Sequence, residues 1–145
     1  MDKRPVQFLL VEDDDSHAMI TIRTLREHQL PKVVDRVVDG EQAMSYLRRE
    51  GPYADKLRPD IILLDLKLPR LDGHEVLAKV KDDPQLRSIP VLILTTSDSE
   101  SDRLRAYEHY ANSYLVKPIG YDQFRQMAEE ISDYWCVWNR TVNEG

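Results

Sequence analysis

A single cysteine, Cys136, stands in the 145 residues, so no intramolecular disulfide can form. Glycine is scarce at five residues, and no Gly-x-Gly-x-x-Gly or Gly-x-x-x-x-Gly-Lys run occurs. Little backbone is therefore available to cradle a dinucleotide or a nucleoside triphosphate. Long apolar stretches are missing as well. Phe8–Val11, Ile61–Leu64 and Val91–Leu94 are four residues each, against the ~20 that a membrane span needs. Positive charge is not in excess: 20 Lys and Arg against 26 Asp and Glu leave −6, which argues against nucleic-acid binding as the main activity. The early apolar stretch runs into Glu12-Asp13-Asp14-Asp15, unlike a secretory signal. His17, His28, His74 and His109 show no ligand spacing and make no zinc signature with Cys136; they read as surface or capping residues. What is present, 41 % hydrophobic and 32 % charged residues, suits one cytoplasmic, reduced domain.

Short, branched-rich, unbroken apolar runs are the mark of buried parallel strands. Val6–Val11, Asp60–Leu64 and Ile89–Leu94 qualify, and Val33–Val38 and Tyr114–Val116 are shorter candidates. Helical patterns lie between them: Ser16–His28, Glu41–Arg49, His74–Lys81 and Asp98–Tyr110, the last opened by Ser97 or Ser99 as a cap. A fifth helix begins near Tyr121 and carries Phe124, Met127, Ala128, Ile131, Trp135 and Trp138 in apolar steps of three and four. Strands alternating with helices predict an α/β domain, a doubly wound five-stranded parallel sheet covered on both faces. The connection Arg48–Pro59 is longer than such loops usually are, and packing supplies no reason for it at this level.

Ligands of open α/β sheets bind beyond the carboxyl ends of the strands. The first strand is followed there by Glu12 and Asp13, the third by Asp65, the fourth by Thr95 and Thr96, and the fifth by Lys117-Pro118. One rim of the sheet thus collects acids, a hydroxyl and an ammonium from more than a hundred positions of sequence. Carboxylates ~5 Å apart repel by roughly 3 kcal/mol per pair at an effective dielectric of about 20. Protons, a cation or a metal must compensate them. Lys117 supplies one charge, and a hard divalent ion such as Mg²⁺, which takes carboxylates, waters and phosphate oxygens, would supply more. An aspartate so placed is equipped for phosphoryl transfer, with its carboxylate as nucleophile. Any one of these residues could instead be a turn former or cap; Asp13, Asp14, Asp15 or Ser16 could simply cap the first helix.

Leu9-Leu10-Val11-Glu12-Asp13-Asp14, Pro59–Pro69 with Asp65 at its centre, Asp72-Gly73, Thr95 and Tyr114-Leu115-Val116-Lys117-Pro118 together resemble the receiver domain of bacterial two-component response regulators. Separations of 52 from Asp13 to Asp65, 30 to Thr95 and 22 to Lys117 suit that family. The resemblance covers about residues 5–135. It implies a flavodoxin-like strand order 2-1-3-4-5 and a single receiver domain over 1–145, with an aromatic tail from about 134 and no output domain. By the same resemblance Asp65 would accept a phosphoryl group from a histidine of a sensor kinase, a signalling role and not an enzyme's. Glu12, Asp13, Asp65 and the backbone carbonyl of Lys67 would bind Mg²⁺. Lys117 would pair with the phosphoryl group across a cis bond to Pro118. Thr95 would swing toward the phosphate and Tyr114 would turn inward, altering the surface of the fourth helix, fifth strand and fifth helix. The stretch Ser45–Tyr53, Leu94-Thr95-Thr96-Ser97, Asn112-Ser113-Tyr114 and the long Arg48–Pro59 connection are similar to single-domain regulators paired with phytochrome-type histidine kinases. His109-Tyr110 departs from that pattern, where a glycine would usually precede Ala111. Regulators of kinases that are not photoreceptors share these features, and an aspartate-nucleophile phosphohydrolase is a further alternative. The latter usually carries Asp-x-Asp, whereas Asp65-Leu66-Lys67 has no second acid.

Two surfaces remain. The first helix carries Ala18, Met19, Ile20, Ile22 and Leu25 around more than one face. The surplus, chiefly Ala18 and Ile22, is expected to dock kinase helices together with Ile119, the alternative being a broad buried face. The tail Tyr134-Trp135-Cys136-Val137-Trp138 is aromatic where chain ends usually fray. It predicts a homodimer through the fourth- and fifth-helix face and Tyr134, Trp135 and Trp138, unless Trp135 and Trp138 fold back on their own domain.

Overall fold

Every residue of the first strand, β1 (Val6–Val11), is buried. Such a strand needs cover on both faces, because successive side chains point to opposite sides of the sheet. The cover comes from the chain order itself. The computed structural model describes residues 5–27 and 32–139, so His28 and the tail beyond residue 139 lie outside the described residues. Within them, β1 is followed by α1 (Asp15–Glu27), β2 (Lys32–Val37), α2 (Gly40–Leu47), β3 (Ile61–Leu64), α3 (Gly73–Asp82), β4 (Val91–Thr95), α4 (Glu100–Glu108), β5 (Ser113–Val116) and α5 (Tyr121–Asp133). All strand pairs are parallel, in the order β2-β1-β3-β4-β5. This is the doubly wound sheet expected. Among the described residues no helix is long and apolar enough to cross a membrane.

Alternate strand residues feed two cores. Leu9, Val11, Ile62, Leu64 and Ile93 pack with Ala43, Val76, Leu77 and Val80 of α2 and α3. Phe8, Leu10, Ile61, Leu63 and Leu92 pack on the other face with Ala18 and Leu25 of α1 and Ile131 of α5. β4 begins two residues later than predicted, because Pro90 has no N–H to give and offers only its carbonyl, to Ile62 N at 3.0 Å.

The long Arg48–Pro59 connection does have a packing reason. A 3₁₀ turn at Gly51–Tyr53 brings Tyr53 against Tyr46, ring centroids 5.4 Å apart. The Tyr46 hydroxyl donates to Asp35 Oδ2 at 2.6 Å, and Lys56 Nζ lies 3.5 Å from the same oxygen. The insertion is thus clipped to α2 and β2. Burial and the Asp35 carboxylate push the Tyr46 phenol up from its ordinary value.

Tyr110 explains the irregular turn after α4. Its φ is 67°, the left-handed region that suits glycine, while Ala111 N reaches back to Ala106 O at 3.0 Å to close the helix end. A side chain costs energy in that conformation. Tyr110→Gly should therefore stabilise the protein by about 0.5–1 kcal/mol after glycine's own entropy is set against the relief. The midpoint of urea unfolding measures it, and an unchanged or lower midpoint contradicts the strain.

Candidate functional site

The β1–α1 loop is held before it carries any function. Glu12 N donates to Val37 O at 3.1 Å, and Arg36 Nε donates to Glu12 O at 3.0 Å while its Nη2 reaches Asp15 Oδ1 at 2.9 Å. Asp14, among the four capping candidates, takes the helix end: its Oδ1 accepts from His17 N at 3.0 Å. Asp13 is left exposed at the rim, and Glu12 is buried. At the end of β3, Asp65 is buried, its N–H donating to Val11 O at 3.1 Å. Lys67 N donates to Asp65 Oδ1 at 3.3 Å, with the Lys67 side chain exposed.

Carboxylate oxygens of Glu12, Asp13 and Asp65 all lie within 4.8 Å of one another. That all-oxygen donor set, free of sulfur and imidazole, suits a hard divalent cation. Lys117, almost wholly buried, enters the same cluster: Nζ donates to Glu12 Oε1, to Asp65 Oδ2 at 3.2 Å and to His17 Nδ1 at 3.0 Å. The Lys117–Pro118 bond is trans, contrary to the cis bond expected, and with this backbone the ammonium reaches both acids. Burial raises the Glu12 carboxyl to about 7; the Lys117 hydrogen bond opposes that rise and the nearby Asp65 charge adds to it.

Thr95 ends β4 fully buried, its carbonyl accepting from Lys117 N at 2.7 Å and its Oγ1 from Ser97 N at 3.3 Å. Behind it runs a chain that sequence reasoning missed. Tyr114, half-buried against the α2–α3 core, donates its hydroxyl to Ser97 O at 2.8 Å. Ser97 Oγ donates to Asp102 Oδ2 at 2.6 Å, and Asp102 Oδ1 meets the buried His74 Nε2 at 3.1 Å. These contacts hold the Asp102 carboxyl below its usual range, the Ser97 hydrogen bond foremost. His17 and His74 are thus not ordinary surface or capping residues, whereas His109 is the residue capping the end of α4.

The docking and tail residues divide. Ala18 is fully buried, because Ala18, Thr21 and Leu25 recur at helical spacing on the face of α1 turned inward. It is not available to a partner. Met19 and Ile119 are exposed and Ile22 is half-buried. Trp135 likewise continues the inward row of Phe124, Ala128 and Ile131 and packs in the α1–α5 core, while Tyr134, Val137 and Trp138 stay outward. α5 runs on into a π-helical turn over Tyr134–Trp138.

Residues 8–129 match the family model of the response regulator receiver domain. The chain is 44 % identical over 138 residues to the probable methanogenesis regulatory protein FilR2 of Methanothrix harundinacea, covering 94 % of this chain and 88 % of that protein. Its structure resembles the phosphorylated cyanobacterial phytochrome response regulator RcpA, with TM-score 0.93 and 39 % identity over 97 % of this chain and 100 % of the other. The Mn²⁺-bound form of response regulator Rcp1, a protein of Synechocystis, gives TM-score 0.91 and 36 % identity over 94 % and 99 % of the two chains. Fold, rim chemistry and family model agree, and the chain belongs to the response regulator receiver domain family.

Proposed function

We propose that Asp65 accepts a phosphoryl group from a phosphohistidine of a sensor kinase, and that the chain is a signalling phosphoacceptor. The observation carrying this reading is the Lys117 ammonium bridging Glu12 and Asp65, with Asp13 in the same cluster. A carboxylate oxygen of Asp65 attacks phosphorus, the P–N bond of the donor breaks, and the released imidazole takes up a proton. An acyl phosphate remains. Lys117 neutralises charge on the transferred oxygens from a position fixed by Glu12. Glu12, Asp13, Asp65 and the Lys67 carbonyl would hold Mg²⁺, which when bound supplies positive charge opposite the phosphoryl oxygens. The Thr95 hydroxyl then turns from Ser97 N to the phosphate, a charge-assisted bond worth about 1.5–3 kcal/mol. Tyr114, hydrogen-bonded to Ser97 O, carries that change to α4, β5 and α5.

The partner surface is proposed around Met19, Ile22 and Ile119 beside the rim, and a homodimer contact at Tyr134 and Trp138. A phytochrome-type kinase in the cytoplasm is the partner we favour, on the likeness to RcpA along its whole length. FilR2, more identical in sequence, supports the second reading of a kinase that is not a photoreceptor. The test of the acceptor is incubation with Mg²⁺ and acetyl phosphate, followed by intact mass. One phosphoryl adduct, labile to hydroxylamine, abolished by chelation and missing from Asp65→Asn, is expected. Retention of the adduct in Asp65→Asn overturns the assignment, and steady turnover of phosphate esters favours a phosphohydrolase.

A further inference from the structure

An ammonium carries three N–H donors and no acceptor. Lys117 directs them to Glu12 Oε1, Asp65 Oδ2 and His17 Nδ1, the last at 3.0 Å. His17 Nδ1 must therefore present a lone pair, which puts the ring proton on Nε2 and leaves the imidazole neutral. The residue is held at its backbone and at its ring. Its backbone N–H is fixed by the Asp14 cap at 3.0 Å and its carbonyl accepts from Thr21 Oγ1 at 2.9 Å. The ring lies against Phe124 of α5, centroids 5.6 Å apart. The charged groups facing it are Lys117 and Asp14, whose Oδ2 is 3.9 Å from Nδ1; Glu12 and Asp65 lie beyond the ammonium, and α5 offers the uncharged Phe124 ring.

We propose that His17 is a positioning residue for phosphoryl transfer: its neutral imidazole takes the third N–H of Lys117 and so aims the ammonium at Asp65. This rests on the reading of Asp65 as phosphoacceptor. The two carboxylates alone leave one donor of Lys117 without direction, and the neutral ring supplies a third fixed point without adding charge. An imidazolium in the same place would turn an N–H and a like charge toward Lys117, so only the neutral ring can accept this bond.

The experiment compares wild type, His17→Ala and His17→Asn at saturating Mg²⁺, with acetyl phosphate as donor, across about pH 5.5 to 8. Asparagine places an oxygen acceptor where Nδ1 stands and does not titrate. At the alkaline end His17→Ala should form the adduct about fivefold more slowly, the size of one lost hydrogen bond, with His17→Asn recovering most of it. In the same proteins without donor, the ¹⁵N shift of the Lys117 ammonium at one fixed pH should differ between wild type and His17→Ala and return toward the wild-type value in His17→Asn. Equal rates in all three proteins, or equal slowing of both variants, overturns the inference alone. No adduct on any protein, wild type included, overturns the acceptor reading and the inference with it.

Discussion

An alanine at Gly73 should cost the folded state about 3 kcal/mol and slow phosphoryl acceptance with it, through overpacking against backbone. A Cβ built there would lie 2.2 Å from Asp65 O and 2.5 Å from Leu66 Cα, and Gly73 N donates to Leu66 O at 2.8 Å. None of these atoms belongs to a flexible side chain, so relief requires moving the main chain of the acceptor itself. Gly120→Ala is the control: its nearest foreign atom is Gln123 Oε1 at 3.3 Å, the end of a long side chain. Urea unfolding of both variants, with acetyl phosphate kinetics on each, separates the two cases. A Gly73→Ala protein as stable as the Gly120→Ala control contradicts the close approach.

Lys117→Met should be destructive in a pH-dependent way. In the metal-free wild type the Glu12 carboxyl titrates at about 7 against an ordinary 4.5, so the folded state holds that proton more tightly than the unfolded chain. The stability this contributes is fully present below about pH 4.5 and is lost as pH rises through about 7. Removing the ammonium takes away the group that opposes the rise. The window therefore moves to higher pH and the loss within it grows. Under chelation Lys117→Met should be less stable than wild type by about 3 kcal/mol near pH 8, with the gap narrowing near pH 5 as Glu12 takes its proton. Phosphoryl acceptance in Mg²⁺ should fall about 100- to 1,000-fold, the scale of one lost charge-stabilising donor. Denaturation at both pH values checks the first part, and an equal deficit at both contradicts the electrostatic account.

The rim acids were legible because a parallel sheet sends every strand's carboxyl end to one side, so Glu12, Asp13, Asp65, Thr95 and Lys117 could be placed by strand ends alone. The inward rows were legible only in part. Ala18 and Trp135 sit at core spacing with Leu25 and Ile131, yet apolar residues around more than one face in the first case and an aromatic cluster where ends usually fray in the second suggested a surface. Pro90 carried its own signal, a missing N–H, and moved the start of β4. The Arg48–Pro59 clip also left a trace, since aromatic Tyr46 precedes it and Tyr53 lies within it, but the anchoring of Tyr46 and Lys56 on Asp35 depends on β2. His17 and His74 left none: each is defined by a partner 100 or 28 residues away, and no local pattern encodes such a pairing.

The sheet's strand order bears on how the chain emerges during synthesis. The first 65 residues contain β2, β1 and β3, three adjacent strands, together with Glu12, Asp13 and Asp65. Lys117 follows β5, an edge strand, which leaves the ribosome about 50 residues later, several seconds at ordinary elongation rates. The acids of the rim thus precede in the chain the ammonium that bridges two of them. Until then protons, dissolved cations and Arg36, which reaches Glu12 O and Asp15, are what can offset the repulsion, and docking of the final strand brings the buried ammonium to Glu12 and Asp65.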